Sequence, residues 1–140
     1  MSKASDLARL VTSGSTAIHG EAGVTSSGST GKTTNLVQGL AKGWVEFDGT
    51  ASGATVGDSL NVSSSDDDAT GDYGINFTNA MGNATYACTF GDGEGSSTSG
   101  LRFLIDAGSA TTGQELYARN VSNSAQDVDA ASVVIHGDLA

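Results

Sequence analysis

The chain has 140 residues with a formal net charge of −10, and it is 37% hydrophobic but only 16% charged, with 20 Gly and no Pro. Its 16 acidic against 6 basic residues supply no basic stripe, which excludes nucleic-acid binding through the phosphate backbone and opposes contact with an anionic membrane. No apolar run approaches the roughly 18 residues of a membrane span, and no apolar segment follows Met1-Ser2-Lys3 as in a signal peptide, so neither insertion nor secretion is expected.

Ser, Thr, Gly and Asn take the place of the missing charges and large apolar residues. That composition suits short strands with many turns, or chains that order against copies of themselves. One domain is the default at this length, and a monomer would be marginal. Residues 3–11 predict a short helix, with Ser5 as N-cap and Leu7, Leu10 and Val11 on one side as a contact stripe. It is too short to stand alone. From Thr12 to Gly39, isolated apolar residues are spread through Gly, Ser and Thr, which reads as a flexible segment. Residues 1–40 therefore form an extended arm, and residues 41–140 a β domain.

Within that domain Val45 and Phe47 alternate with Trp44 and Glu46, and Asp48-Gly49 opens a turn. Leu60 and Val62 alternate with polar neighbours before a polar run read as a hairpin tip at Asp66 to Asp68. The strongest alternation is Tyr73, Ile75, Phe77, then Tyr86, Cys88, Phe90, which reads as two strands joined by a short connection. After a Gly/Ser loop, Leu101, Phe103 and Ile105 alternate, with Leu104 as an apolar exception on the outer face that suggests a subunit contact or a second sheet. Leu116 to Val121 and Ser132 to His136 bring the count to about seven strands. The expected fold is all-β, an antiparallel β-sandwich of jelly-roll-like type preceded by the arm. Its expected core is Val45, Phe47, Leu60, Val62, Tyr73, Ile75, Phe77, Tyr86, Cys88, Phe90, Leu101, Phe103 and Ile105. No fixed-period repeat is evident.

Catalytic patterns do not assemble. Gly31-Lys32-Thr33 copies the end of a phosphate-binding loop, but Ser26 stands where the leading Gly is needed and neither a hydrophobic strand before it nor a helix after it is predicted. Asp66 to Asp68 with Asp72 offers carboxylates for a hard cation, yet Phe77 occupies the twelfth position where an EF-hand needs Glu. His19 and His136 are the only imidazoles, so an ordinary metal site is not expected. No Gly-x-Ser-x-Gly element with matching His and acid occurs. Four Asn-x-Ser/Thr triplets, beginning at Asn61, Asn76, Asn83 and Asn120, carry meaning only in a secretory compartment. Cys88, the single cysteine, reads as a small core residue, and Trp44 as a buried or interface residue that, exposed, would stack on a sugar ring. No cofactor is expected.

The segments AKGWVEFDGT at 41–50, DSLNVSSSDDDATGDYGINFTNAMGNATYA at 58–87 and the closing ASVVIHGDLA resemble a β module of tail-fibre and other virion structural proteins in tailed bacteriophages, often marine and cyanobacterial ones. The opening MSKASDLARL is similar to segments that precede fibre domains. The resemblance covers residues 41–90 well, the last strand loosely and 91–131 poorly. An Asn-Gly turn usual in the module is replaced by the Asp66 to Asp68 run, and Gly82 stands in place of a common Pro, so the departures fall in turns. The resemblance implies a non-enzymatic homotrimer on the virion, made in the host cytoplasm, that meets other virion proteins through residues 1–40 and projects its β domain for host attachment. Two alternatives stay open: a capsid decoration protein, and a lectin-like module that binds a host glycan or protein.

Overall fold

The computed structural model describes residues 23–25, 33–35, 39–93, 102–105 and 109–140. The chain divides into two units, Met1–Leu40 and Ala41–Ala140. In the first unit, β1 (Gly23–Thr25) and β2 (Thr33–Asn35) form an antiparallel pair with Val24 opposite Thr34. Composition concealed this ribbon, because three residues are too few for a period to show. The predicted helix at 3–11, with Leu7, Leu10 and Val11, lies outside the described residues.

The second unit is an all-β sandwich. Among the described residues its eight strands are β3 (Gly43–Asp48), β4 (Thr55–Leu60), β5 (Val62–Ala69), β6 (Asp72–Phe77), β7 (Ala87–Gly93), β8 (Arg102–Ile105), β9 (Gly113–Arg119) and β10 (Ala130–His136). Sheet I has the order β4-β3-β10-β7 and sheet II the order β5-β6-β9-β8, with every pairing antiparallel. Period-2 alternation points one side of each sheet inward. Val45 and Phe47 from β3 and Ala131, Val133 and Ile135 from β10 meet Tyr73, Ile75 and Phe77 from β6 and Leu116 and Ala118 from β9. The Phe47 and Tyr73 rings cross between the sheets edge-to-face at 5.2 Å, and Phe77 and Tyr86 do so at 5.7 Å. Val62, Cys88 and Phe90 pack against this core while only partly buried.

Four expectations need correction or completion. Leu60 is not core but 48% exposed. Val56 and Leu60 would share a face in an unbroken strand, but the register shifts between Glu46 and Phe47, where Gly57 is the extra residue of β4. This bulge turns Val56 inward and leaves Leu60 opposite Trp44 on the outer face. The Asp66 to Asp68 run lies within β5 rather than at a hairpin tip; the turn follows at Thr70-Gly71. Gly71 adopts a φ of 65°, which a side chain would strain, and a Cβ there would collide with the Ala118 carbonyl. The two strongest strands, β6 and β7, are joined by a short connection as expected, and that connection crosses from sheet II to sheet I. Finally, Leu101 lies outside the described residues, while Phe103 and Ile105 stand opposite Ala118 and Leu116, at register positions of the core face.

The sandwich has two recognisable poles. At one, the chain turns from β4 into β5 through Asn61 alone, whose φ is 57°. The Asn61 amide donates to the Asn79 carbonyl at 3.1 Å, and its side-chain oxygen accepts the Asn79 N–H at 2.8 Å. At the other, Gly49, Gly71 and the 120–129 loop meet around Tyr73.

Candidate functional site

Three arrangements outside the common core bring chemically distinct side chains together. The first is on the outer face of sheet I. Trp44 pairs with Leu60 on one side and with Val134 on the other, so an apolar row crosses three strands. Trp44 and Val134 are half-buried and Leu60 is exposed. Around the corner, Leu60 and Leu139 line a groove of about 330 Å³ together with Ala41, Lys42, Asn61, Thr78 and Asn79. The bridge between Met81 and Leu139 and the Gly82 N–H to Asp138 carbonyl bond hold the Leu139 side of that groove in place.

The second arrangement is on the outer face of sheet II. Asp68, Asp72 and Glu115 each bring a carboxylate oxygen within 4.8 Å of the others. Gly74, opposite both Asp66 and Glu115, leaves room there; a Cβ on it would meet the Glu115 carboxylate at 3.3 Å and Asp66 at 3.5 Å. Sequence reading grouped Asp66 to Asp68 with Asp72 but missed Glu115, which only the β6-β9 register brings alongside. This set has the oxygen chemistry for a hard cation, and it equally suits a hydrated acidic face. Beside it the Arg119 guanidinium lies 4.9 Å from the centre of the half-buried Tyr117 ring. Leu104 stands opposite Tyr117 and thus at an outer-face register position, as its place in the alternation predicted.

The third arrangement is internal. The fully buried Gln114 carbonyl oxygen accepts from the Ser109 hydroxyl at 2.7 Å and from the Cys88 thiol at 3.5 Å. Its amide donates to the Glu115 carbonyl at 2.6 Å. Burial pushes the Cys88 thiol up to about 11, which withholds the thiolate that nucleophilic chemistry needs. Burial likewise raises the phenols of Tyr73 and Tyr86 above their ordinary value. The Tyr73 hydroxyl is a loop clamp. It reaches the Gly49 carbonyl at 3.2 Å and the Asp127 carboxylate at 3.3 Å, and accepts the Val128 N–H at 3.2 Å. On the surface nearby, the Thr50 hydroxyl and N–H hold the Asp48 carboxyl below its usual value.

The structure does not join the remaining sequence candidates. Thr33 opens strand β2 where a phosphate-binding loop would need a helix. His136 is on β10, on the outer-face side of its alternation, and half-buried. Comparison of the chain with protein-family models, with curated proteins and with solved structures found no match.

Proposed function

We propose that this chain is a non-enzymatic structural protein of a tailed-bacteriophage virion, assembled as a homotrimer through residues 1–40 and displaying the sandwich for attachment. The observation that supports this reading best is the apolar row Val134-Trp44-Leu60. It crosses an outer sheet face on a surface otherwise dominated by Ser, Thr and Asp, as a protein-contact surface does. The other polar groups argue in the same direction: the buried Tyr73 and Gln114 side chains are bonded to loops and neighbouring strands, where they hold the fold together.

Light-scattering mass of the full chain and of a chain lacking residues 1–40 tests the reading. A mass of three times 13.9 kDa that falls on truncation, together with loss of the truncated chain from purified particles, is the expected result. A full-length chain that is monomeric, or a chain lacking residues 1–40 that still enters particles, overturns it. Labelling that places the protein on heads rather than tails selects capsid decoration over a fibre. Glycan contact has its own supporting observation, Tyr117 beside the carboxylates of sheet II. A glycan array in which Tyr117→Ala abolishes binding is its test.

A further inference from the structure

The outer face of sheet I is polarised along its strands. Its middle is the row Leu60-Trp44-Val134, which Thr89 of β7 extends across the fourth strand. One residue pair toward the pole of the 120–129 loop, Glu46 stands between Asp58 and Ser132. Gly57 leaves the space that the Glu46 carboxylate fills, since a Cβ on that bulge residue would collide with it. Asp48 ends β3 beyond Glu46, its carboxylate already accepting from Thr50. One pair the other way, toward the pole that carries the groove, His136 stands opposite Ala87. Lys42 at this groove pole is buried and already engaged, so it adds no cation to the face, and Asp138 leaves the face with the bridge from Leu139 to Met81. The face thus runs from carboxylates through an apolar row to an imidazole. Among the described residues the side chains of Trp44, Glu46 and His136 make no hydrogen bond or ion pair.

We infer that this face packs against the same face of a second copy of the chain, with the strands of the two copies antiparallel. A face that meets itself does so across a twofold axis in the contact plane. An axis along the strands would gather the carboxylates of both copies at one end, away from any cation. An axis along the apolar row instead sets Trp44 and Val134 against their counterparts and brings the His136 of each copy over the Glu46 and Ser132 of the other. Glu46 and His136 each lie one residue pair, about 7 Å, from the row, on neighbouring strands about 4.8 Å apart, so this reversal leaves them within side-chain reach. Charge thus selects the antiparallel arrangement. On the β7 flank the facing positions are Ala87, Thr89 and Gly91, small residues that let the second sheet approach. Four strands of about seven residues offer about 400 Å² per copy, so a single contact is weak and strengthens when chains are held in a larger assembly. The inference deepens the proposed function by naming the partner of the apolar row, and it rests on that row being a protein contact, not on residues 1–40.

Trp44 is the only tryptophan, so its fluorescence in the full chain reads the contact directly. At about pH 6, where an imidazole carries charge, acrylamide quenching of Trp44 is expected to fall, and scattering mass to rise, as the concentration increases from roughly 1 μM to 1 mM. His136→Glu is expected to weaken this association by roughly tenfold, because the twofold repeats the change, and Glu46→Lys added to it is expected to restore most of the loss. Quenching that stays high over the whole range overturns the inference, as does quenching that stays low throughout because another part of the assembly covers the face. A double variant that associates no more tightly than His136→Glu also overturns it, since only the antiparallel arrangement pairs the two positions. The mass at the lowest concentration reports the trimer separately, so its loss counts against the role of residues 1–40 and not against this contact.

Discussion

Removing one hydroxyl at Tyr73 should cost far more than removing the other at Tyr86, although both phenols are buried beside loops. In the Tyr73→Phe variant the ring remains, and so does its edge-to-face contact with Phe47. The Val128 N–H, in a residue that is fully buried, loses the hydroxyl it donates to. The Gly49 carbonyl loses a donor as well, while the Gly71 N–H keeps its 2.7 Å bond to Asp127. An orphaned buried donor costs about 1–3 kcal/mol, so the expected loss is about 2 kcal/mol. For a sandwich of this size that lowers Tm by roughly 8–16 °C. In Tyr86→Phe the missing hydroxyl donates to the Ala110 and Gly113 carbonyls, residues that already bond each other through their backbones, and Ser109, which also meets that hydroxyl, keeps its 2.7 Å bond to Gln114. Its cost should be about 0.5–1 kcal/mol. Urea unfolding of both variants, monitored by the fluorescence of Trp44, gives the two numbers. Equal losses, or a Tyr73→Phe loss below about 0.5 kcal/mol, would refute the reasoning that acceptance from Val128 is what the Tyr73 hydroxyl contributes.

Phe77→Ala should cost about 3–5 kcal/mol by leaving a cavity against Tyr86, whereas Leu60→Ser on the outer face should change stability by less than about 1 kcal/mol; a reversed order by chemical denaturation would show that the Gly57 bulge is absent. Asn61→Ala should destabilise by about 1–3 kcal/mol, since it loses the Asn79 clamp and forces a Cβ-bearing, non-bonding residue to hold a positive φ; Asn61→Gly should lose less, and thermal melts of the pair separate clamp from backbone strain. Cys88 has a folded pKa of about 11, above its unfolded value near 8.5, so its contribution to stability is complete below about pH 8.5 and declines as pH rises toward 11. Thiolate absorbance of the native chain should therefore stay low through pH 9.5 and appear at once when the protein is unfolded at that pH.

How far the fold could be read depended on whether the alternation was continuous. Tyr73, Ile75 and Phe77 were legible because β6 is an unbroken inner strand whose every second residue is buried. Leu60 was misassigned because one inserted glycine reverses the phase, and nothing local distinguishes a bulge glycine from a turn glycine in a chain with 20 of them. The alternation of β6 and β7 was legible, but not the sheet to which each belongs, because loop length does not reveal whether a chain returns to its own sheet or crosses to the other. Leu116, Val133, Ile135 and Val128 belong to the core as firmly as Phe47, but they lie in segments whose alternation is carried by small residues such as Ala118 and Ala131. At the surface, Trp44 could be singled out as the lone tryptophan, yet its row with Val134 and Leu60 exists only through pairing. Glu115 joins Asp68 and Asp72 in the same way, from a strand distant in sequence.

Strands β3 and β10 are hydrogen-bonded neighbours in the middle of sheet I, and Gly43 faces Ile135 across that ladder. The chain therefore enters β3 and leaves β10 side by side, at the groove pole. Backbone bonds of an antiparallel ladder run across the strands, so a pull between residues 42 and 136 meets them one rung at a time, beginning with the Lys42 N–H to the Ile135 carbonyl. The sandwich would open like a zip under such a load. A force that enters at the groove pole and leaves through the 120–129 loop instead runs along the strands and loads many rungs together in shear. The same domain is thus mechanically soft between its own two ends and stiff from pole to pole.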